Sequence, residues 1–415
     1  MARDRRIIHI PRRFAQEEWG GTESVVLNFC RQQAAAGWVP EIHTSRALNP
    51  VKKEMWRDIL IRRYRYCYPF AGLSEAEVAA LDKKGGNLLS LSLFWGLLFR
   101  PKVRIYHAHV LKRMGGAVFR AAQLRGRPFV VSLHGNIFDV PKAEADSIVE
   151  AQQGHFEWGR PFGMILGSRS LLEQADAVMC VGFSEYEAAL KALSHERVYH
   201  VPNGVNVDHF SLEGRKRMRE QFGLKDDDLL IGCISRIDPQ KNQEMLLRVF
   251  NRLAGEHSKL NLIISGPVTL PNYEAKLKQM AQEGGFMERI HFAPPVEPES
   301  ADHAALFASL DAFVLPSRHE PFGIVALEAW AARRPLLAAR SGGLRHFVKD
   351  GRNGLAFDSD DDAGLEAALK RLLGHPEMAS ALAQEGRRTV EQSYSWQQVV
   401  KQLEEIYEEA ERRHQ

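Results

Sequence analysis

Short apolar, β-branched runs alternate along the chain with stretches whose apolar residues recur at helical spacing. In the first half, residues 6–10, 40–44, 103–107, 129–133, 177–181 and 198–201 read as strands. In the second half, residues 229–234, 260–264, 290–292, 312–315 and 335–338 read the same way. Strands separated by helices imply parallel sheets covered on both faces, and there are enough of them for two sheets. The expected fold is therefore α/β, with two doubly wound Rossmann-like domains facing across a cleft. A length of 415 residues agrees, being too long for one ordinary core. The expected division places an N-terminal domain at 1–204, a second domain at 205–392, and a C-terminal helix at 393–415 that crosses back to the first.

Ligands of such sheets bind beyond the carboxyl ends of the strands, so the loops there hold the candidate chemistry. Asp311-Ala-Phe-Val-Leu-Pro316 is a strand closed by proline, and Ile324, Leu327 and Trp330 then recur at helical spacing. Between them Ser317-Arg-His-Glu320-Pro-Phe322-Gly323-Ile324 forms a loop, with Glu328 about 7.5 Å along the axis from Gly323 at ~1.5 Å per residue. Both carboxylates can then face one ligand at the helix N-terminus, where unpaired N–H groups suit a phosphate. In the same half, Ile234-Ser-Arg236-Ile-Asp-Pro-Gln-Lys241-Asn242 places two cations five residues apart after a strand, where they can neutralise a diphosphate. In the first half, Gly20 and Gly21 precede a helical stretch that Thr22 is expected to cap, and His134 ends a strand.

Composition adds limits. The mix of 45% hydrophobic and 26% charged residues is that of a globular protein. Residues 1–200 carry a net +8 and the remainder −5, so an acidic partner suits the first half. No finger, recognition helix or aromatic RNA-binding motif accompanies that charge, and nucleic acid is not expected. A phosphate-bearing acceptor or an anionic membrane surface fits better. Leu88 to Phe99 is apolar but, at 12 residues, well short of the ~20 that span a bilayer, which leaves a core helix or an interfacial one. The scattered Cys30, Cys67, Cys180 and Cys233 read as buried thiols rather than a disulfide or zinc framework. Met1-Ala-Arg-Asp runs into a strand rather than an apolar leader, so a cytoplasmic protein is expected, peripheral at the inner face of the membrane if the acceptor lies there.

Together these pieces resemble the retaining glycosyltransferases of family 4, which have the GT-B architecture. The resemblance rests on Gly20-Gly21, Ser-Leu-His134-Gly, Val201-Pro-Asn-Gly-Val-Asn, Ser-Arg236-x4-Lys241 and Glu320-x7-Glu328, and so spans essentially the whole chain. It implies that Arg236 and Lys241 bind the donor diphosphate and Glu328 the ribose. It gives the donor sugar to Glu320 with the Phe322, Gly323 and Ile324 backbone, and to His134 from the other domain. Gly20 and Gly21 would line the donor phosphate and acceptor side. Asn242 stands where the family often has glycine, and Ser341-Gly-Gly-Leu lacks the acidic residue often found after the paired glycines.

The activity so implied is transfer of a sugar from a UDP- or GDP-sugar to a hydroxyl of a glycan or lipid-linked acceptor, in bacterial-type polysaccharide or glycolipid assembly. Front-face attack without a protein nucleophile and without metal or other cofactor is expected; Asp358-Ser-Asp360 reads as a solvated loop rather than a metal site. Lys241→Ala is expected to lower turnover far more than stability. A nucleotide-sugar epimerase of the same architecture and a non-catalytic nucleotide-sugar-binding protein are the alternatives.

Overall fold

The computed structural model describes residues 5–16, 19–135 and 155–414. The expectation drawn from the opening Met1-Ala-Arg-Asp segment lies outside the described residues. The chain forms two compact units, Met1–Pro202 with Val399–Gln415, and Asn203–Gln398.

In the first unit the strands β1 (Arg6–Ile10), β2 (Val39–Ser45), β3 (Lys53–Trp56), β4 (Ile59–Tyr64), β5 (Val103–Ala108), β6 (Phe129–Leu133), β7 (Ala177–Cys180) and β8 (Val198–His200) form one sheet. Its order is β3-β4-β2-β1-β5-β6-β7-β8. Every pairing is parallel except β3 with β4. The sequence reading missed these two strands and expected parallel pairing throughout. β3 alternates exposed and half-buried residues, and β4 intersperses Arg62 and Arg63 among its apolar positions, so neither shows the continuous apolar run of a strand covered on both faces.

The second unit holds β9 (Leu229–Ile234), β10 (Leu260–Ser265), β11 (Ile290–Ala293), β12 (Ala312–Leu315), β13 (Leu336–Ala339) and β14 (Leu355–Phe357). This sheet is wholly parallel, in the order β11-β10-β9-β12-β13-β14. The three-residue β14 is too short to stand out by pattern. Helices 243–256, 271–283 and 362–374 bury Leu246, Phe250, Leu277 and Leu369 against the sheet residues Ile231, Leu262 and Leu337.

Each sheet has a topological switch point, where the chain leaves adjacent strands in opposite directions: β1 beside β5 in the first, β9 beside β12 in the second. Loops diverging from such a pair leave a crevice beyond the carboxyl ends of the strands. The two crevices receive the sequence-predicted residues, His134 after the neighbouring β6 in one unit, and Arg236, Lys241 and Glu320 in the other.

From Val399 onward, helix 396–413 packs into the first unit. Tyr407 is fully buried, Trp38 Nε1 donates to Glu404 at 2.7 Å, Tyr199 donates to Glu409 at 2.8 Å, and Arg104 pairs with Glu411. Helix 91–98 has two faces. Leu93 and Leu97 are in the core, while Leu91 and Trp95 are exposed, and the Trp95 ring stacks on that of exposed Phe99. Three cysteines are buried as expected; Cys67 is exposed, because it pairs with Leu89 only through an isolated bridge outside the sheet.

Candidate active site

The second unit's site is organised by a buried ion pair. Lys241 ends a short 3-10 turn after β9, and Glu320 lies in the loop after β12; Lys241 Nζ donates to Glu320 Oε2 at 2.5 Å. Ser317 donates to the same oxygen at 3.3 Å, and all three side chains are buried. Burial strengthens this attraction but makes either charge costly to leave alone.

A second bond network holds the two loops in register. The Arg318 backbone N–H donates to Gln240 O at 2.8 Å and its guanidinium to Pro239 O at 3.0 Å and to Asp360 Oδ1 at 2.8 Å. Asn242 Nδ2 also donates to Asp360, at 3.2 Å. Asn242 has φ 55°, a left-handed conformation that explains why glycine suits this position and why asparagine replaces it at little cost. Asp358-Ser-Asp360 is thus partly structural: Asp360 braces both loops, and Asp358 faces Arg340 at 3.4 Å.

Gly323, with φ 99°, turns the chain into helix 324–331, and no side chain caps that helix start. The paired glycines that the sequence reading noted only for a missing acidic neighbour carry the loop from beneath. A Cβ on Gly342 would stand 2.0 Å from the Glu320 carbonyl oxygen, one on Gly343 2.6 Å from that of Pro321. Gly343 N–H donates to Glu320 O at 2.8 Å. Asn242 Oδ1 and Ser341 Oγ are buried with no hydrogen-bond partner among the described residues, so the amide oxygen can still accept from a ligand and the hydroxyl can accept from one or donate to it. Arg236 is exposed at the start of the Lys241 loop.

The two glutamates do not act as a pair. Glu320 is taken by Lys241, whereas Glu328, on the first turns of helix 324–331, lies 3.8 Å from His303 Nε2. Burial, reinforced by nearby Glu299, pushes the Glu328 carboxyl up to about 7, and burial pulls His303 down to about 4, so His303 is neutral and gives no counter-charge.

In the first unit, helix 21–35 starts with Gly20 as its cap residue, and Thr22 does not cap it, because Thr22 is already the second helical residue. Glu23 occupies the first turn, 3.3 Å from Arg13, and its carboxylate sits 3.0 Å from where a Gly20 Cβ would be. Gly21 has open space on its Cβ side. His134 Nε2 lies 3.0 Å from His109 Nδ1, and burial lowers His134 to about 4. Behind it stand His9 and His107, direct register partners on β1 and β5. The sequence reading passed over these histidines, although imidazoles ending neighbouring strands at a switch point were a readable signal.

Residues 214–389 match the family model described as Glycosyl transferases group 1, and residues 19–209 that described as Glycosyltransferase Family 4. A D-inositol 3-phosphate glycosyltransferase of Geodermatophilus obscurus is 30% identical over 94% of this chain and 84% of its own. The chain belongs to glycosyltransferase family 4. A second relative of this family 4 glycosyltransferase is a GDP-mannose-dependent alpha-(1-6)-phosphatidylinositol monomannoside mannosyltransferase of Mycolicibacterium smegmatis. It is 32% identical over 61% of this chain and 68% of its own. Among solved structures, Anabaena HepE in complex with UDP superposes with a TM-score of 0.70 at 17% identity, covering 97% of this chain and 99% of that one. A Rickettsia africae glycosyltransferase superposes at 0.72 with 16% identity, covering 98% of both. The fold is that of the GT-B glycosyltransferases, with two Rossmann-like domains.

The burial of the Lys241 pair adds a substantial stability cost to the loss of turnover expected for Lys241→Ala. Stranding Glu320 costs about 3–5 kcal/mol. Thermal unfolding is expected to show a large drop for Lys241→Ala and a smaller one for the double replacement Lys241→Met with Glu320→Gln; equal drops would refute the coupling.

Glu328 generates a pH prediction. A carboxyl with a raised folded pKa leaves stability intact below its ordinary value near 4.5 and costs stability as pH rises to about 7. At ~1.4 kcal/mol per unit of pKa, reduced for the part of the side chain that reaches solvent, Glu328→Gln is expected to be more stable than the native chain by about 2 kcal/mol at pH 8. The two melting curves should converge as the pH falls toward 4.5; a pH-independent gap excludes ionisation as the cause.

Proposed function

We propose that this glycosyltransferase moves a sugar from a nucleoside diphosphate donor to an acceptor hydroxyl, retaining the anomeric configuration and needing no metal. The observation that carries the reading is the Lys241–Glu320 pair held beside the uncapped start of helix 324–331. A cation, free N–H groups and a carboxylate in one crevice suit a diphosphate bearing a polyol. Lys241 and Arg236 take the diphosphate. Glu328 takes the ribose hydroxyls. Glu320, with the backbone of Phe322, Gly323 and Ile324, orients the transferred sugar, and His134, with Gly20 and Gly21, belongs to the sugar and acceptor side.

In this reading the acceptor oxygen attacks the anomeric carbon on the face from which the diphosphate departs, and its proton passes to the leaving phosphate oxygen. Glu320 is already engaged by Lys241 and Ser317, which disfavours it as a glycosidase-type nucleophile. Catalysis then rests on orientation and on cations at the leaving group. Metal independence is favoured by the guanidinium partners of Asp358 and Asp360, which would compete with a divalent ion for these carboxylates.

The names of the two relatives, for an inositol phosphate and a phosphatidylinositol mannoside, favour a phosphorylated or lipid-linked polyol as acceptor. No helix among the described residues is long and apolar enough to cross a membrane. The exposed Leu91, Trp95 and Phe99 suit peripheral attachment to an anionic bilayer.

A panel of UDP- and GDP-sugars is expected to contain one that stabilises the chain by ~2.7 kcal/mol at 100 times its Kd. Nucleotide release with that donor should require an acceptor and persist in chelator. Acceptor-independent turnover points instead to an epimerase, and binding without turnover to a non-catalytic protein. Replacing Trp95 and Phe99 by serine should weaken sedimentation with anionic vesicles while leaving thermal stability unchanged; unchanged sedimentation removes the membrane reading.

A further inference from the structure

Behind His134 runs a continuous hydrogen-bond chain through the core of the first unit. One arm passes from His134 Nε2 to His109 Nδ1 at 3.0 Å, from His109 Nε2 to His9 Nδ1 at 3.0 Å, and from His9 Nε2 to Gln33 Oε1 at 2.8 Å. The other passes from Gln33 Nε2 to the Tyr407 hydroxyl at 3.5 Å, from that hydroxyl to His107 Nδ1 at 2.6 Å, and from His107 Nε2 to Ser132 Oγ at 2.7 Å; Ser132 then donates to Met179 Sδ at 3.8 Å. Gln33 joins the arms through the two ends of its amide.

The nitrogens of His9, His107 and His109 are close enough to share a metal ion, but all six are already engaged in these hydrogen bonds. Nor does the chain conduct a proton through to water on the other side, because its far end, at Met179, lies inside the core. Burial holds the four imidazoles neutral at ordinary pH. A neutral imidazole has one donor and one acceptor nitrogen, so each bond dictates the next.

The direction is set by the Gln33 amide, whose oxygen faces His9 and whose NH2 faces Tyr407, and the Met179 thioether agrees: it can only accept, so Ser132 Oγ donates to it and accepts from His107 Nε2–H. His107 Nδ1 then accepts from Tyr407, whose oxygen accepts from the Gln33 NH2 group. That turns Gln33 Oε1 toward His9, which donates from Nε2 and accepts at Nδ1. His109 and His134 follow in the same sense. We propose that Gln33 is a positioning residue that fixes His134, through His9 and His109, as the Nε2–H tautomer with Nδ1 as a hydrogen-bond acceptor.

The functional consequence rests on the proposed place of His134 at the sugar: it would accept a hydrogen bond from a donor-sugar hydroxyl and reject a group that offers only a lone pair there.

Nitrogen-15 histidine spectra of the ligand-free chain test the tautomer directly. The native protein is expected to show His134 protonated on Nε2; protonation on Nδ1 overturns the proposal without any variant. Gln33→Met, nearly isosteric, leaves the His9 Nε2–H without an acceptor, and reversal of the arm avoids that orphaned donor. His134 should then shift wholly or partly to Nδ1–H, whereas an unchanged His134 signal in a folded Gln33→Met protein overturns the coupling. In transfer assays, Gln33→Met should raise the KM for donor severalfold, and that effect should vanish in a His134→Ala background. A changed tautomer with unchanged kinetics upholds the relay and rejects the place of His134 at the sugar.

Discussion

The second unit is built around one buried contact between opposite charges, Lys241 against Glu320. Neither side chain could be buried alone, and the loops that carry them leave two different strands, β9 and β12. The contact therefore obliges those loops to meet. The braces around it, Arg318 to Gln240 and Pro239, Asp360 to Arg318 and Asn242, and the glycine pair beneath Glu320, keep the meeting point fixed. A polar crevice at a switch point becomes a preorganised one, which matters where orientation and charge stabilisation carry the chemistry.

The first unit meets the same problem chiefly with neutral groups, beside the Arg13–Glu23 pair at the start of helix 21–35. Its crevice is backed by neutral imidazoles whose polarity is set by their neighbours. A charged group there would meet a strong desolvation penalty, visible in how far burial depresses the basicity of His107 and His109. Directional hydrogen bonds give the order that an ion pair gives in the other unit.

Much of this was legible in the chain. The continuous apolar runs of β1, β5, β6, β9, β10 and β12 identified strands buried on both faces, and the loops after β9 and β12 were found because strand ends are where ligands of such sheets sit. What escaped depends on partners distant in sequence. β3 and β4 lie toward one edge of their sheet, and arginines in β4 break up the apolar run. The eight-residue spacing of Glu320 and Glu328 suggested two carboxylates on one ligand, but only the packed structure shows Glu320 spoken for by Lys241 and Glu328 half-buried beside a neutral His303. Gly342 and Gly343 could not be read as supports, since the backbone they touch is 22 residues earlier.

That last contact has a consequence for how the family's sequences can vary. A side chain at Gly342 would collide with main chain, which cannot rotate away as a side-chain tip can, and the left-handed φ of 45° adds strain for any other residue. Variation around this loop must therefore come from its side chains rather than from the path of its backbone, which is closed to change at this point.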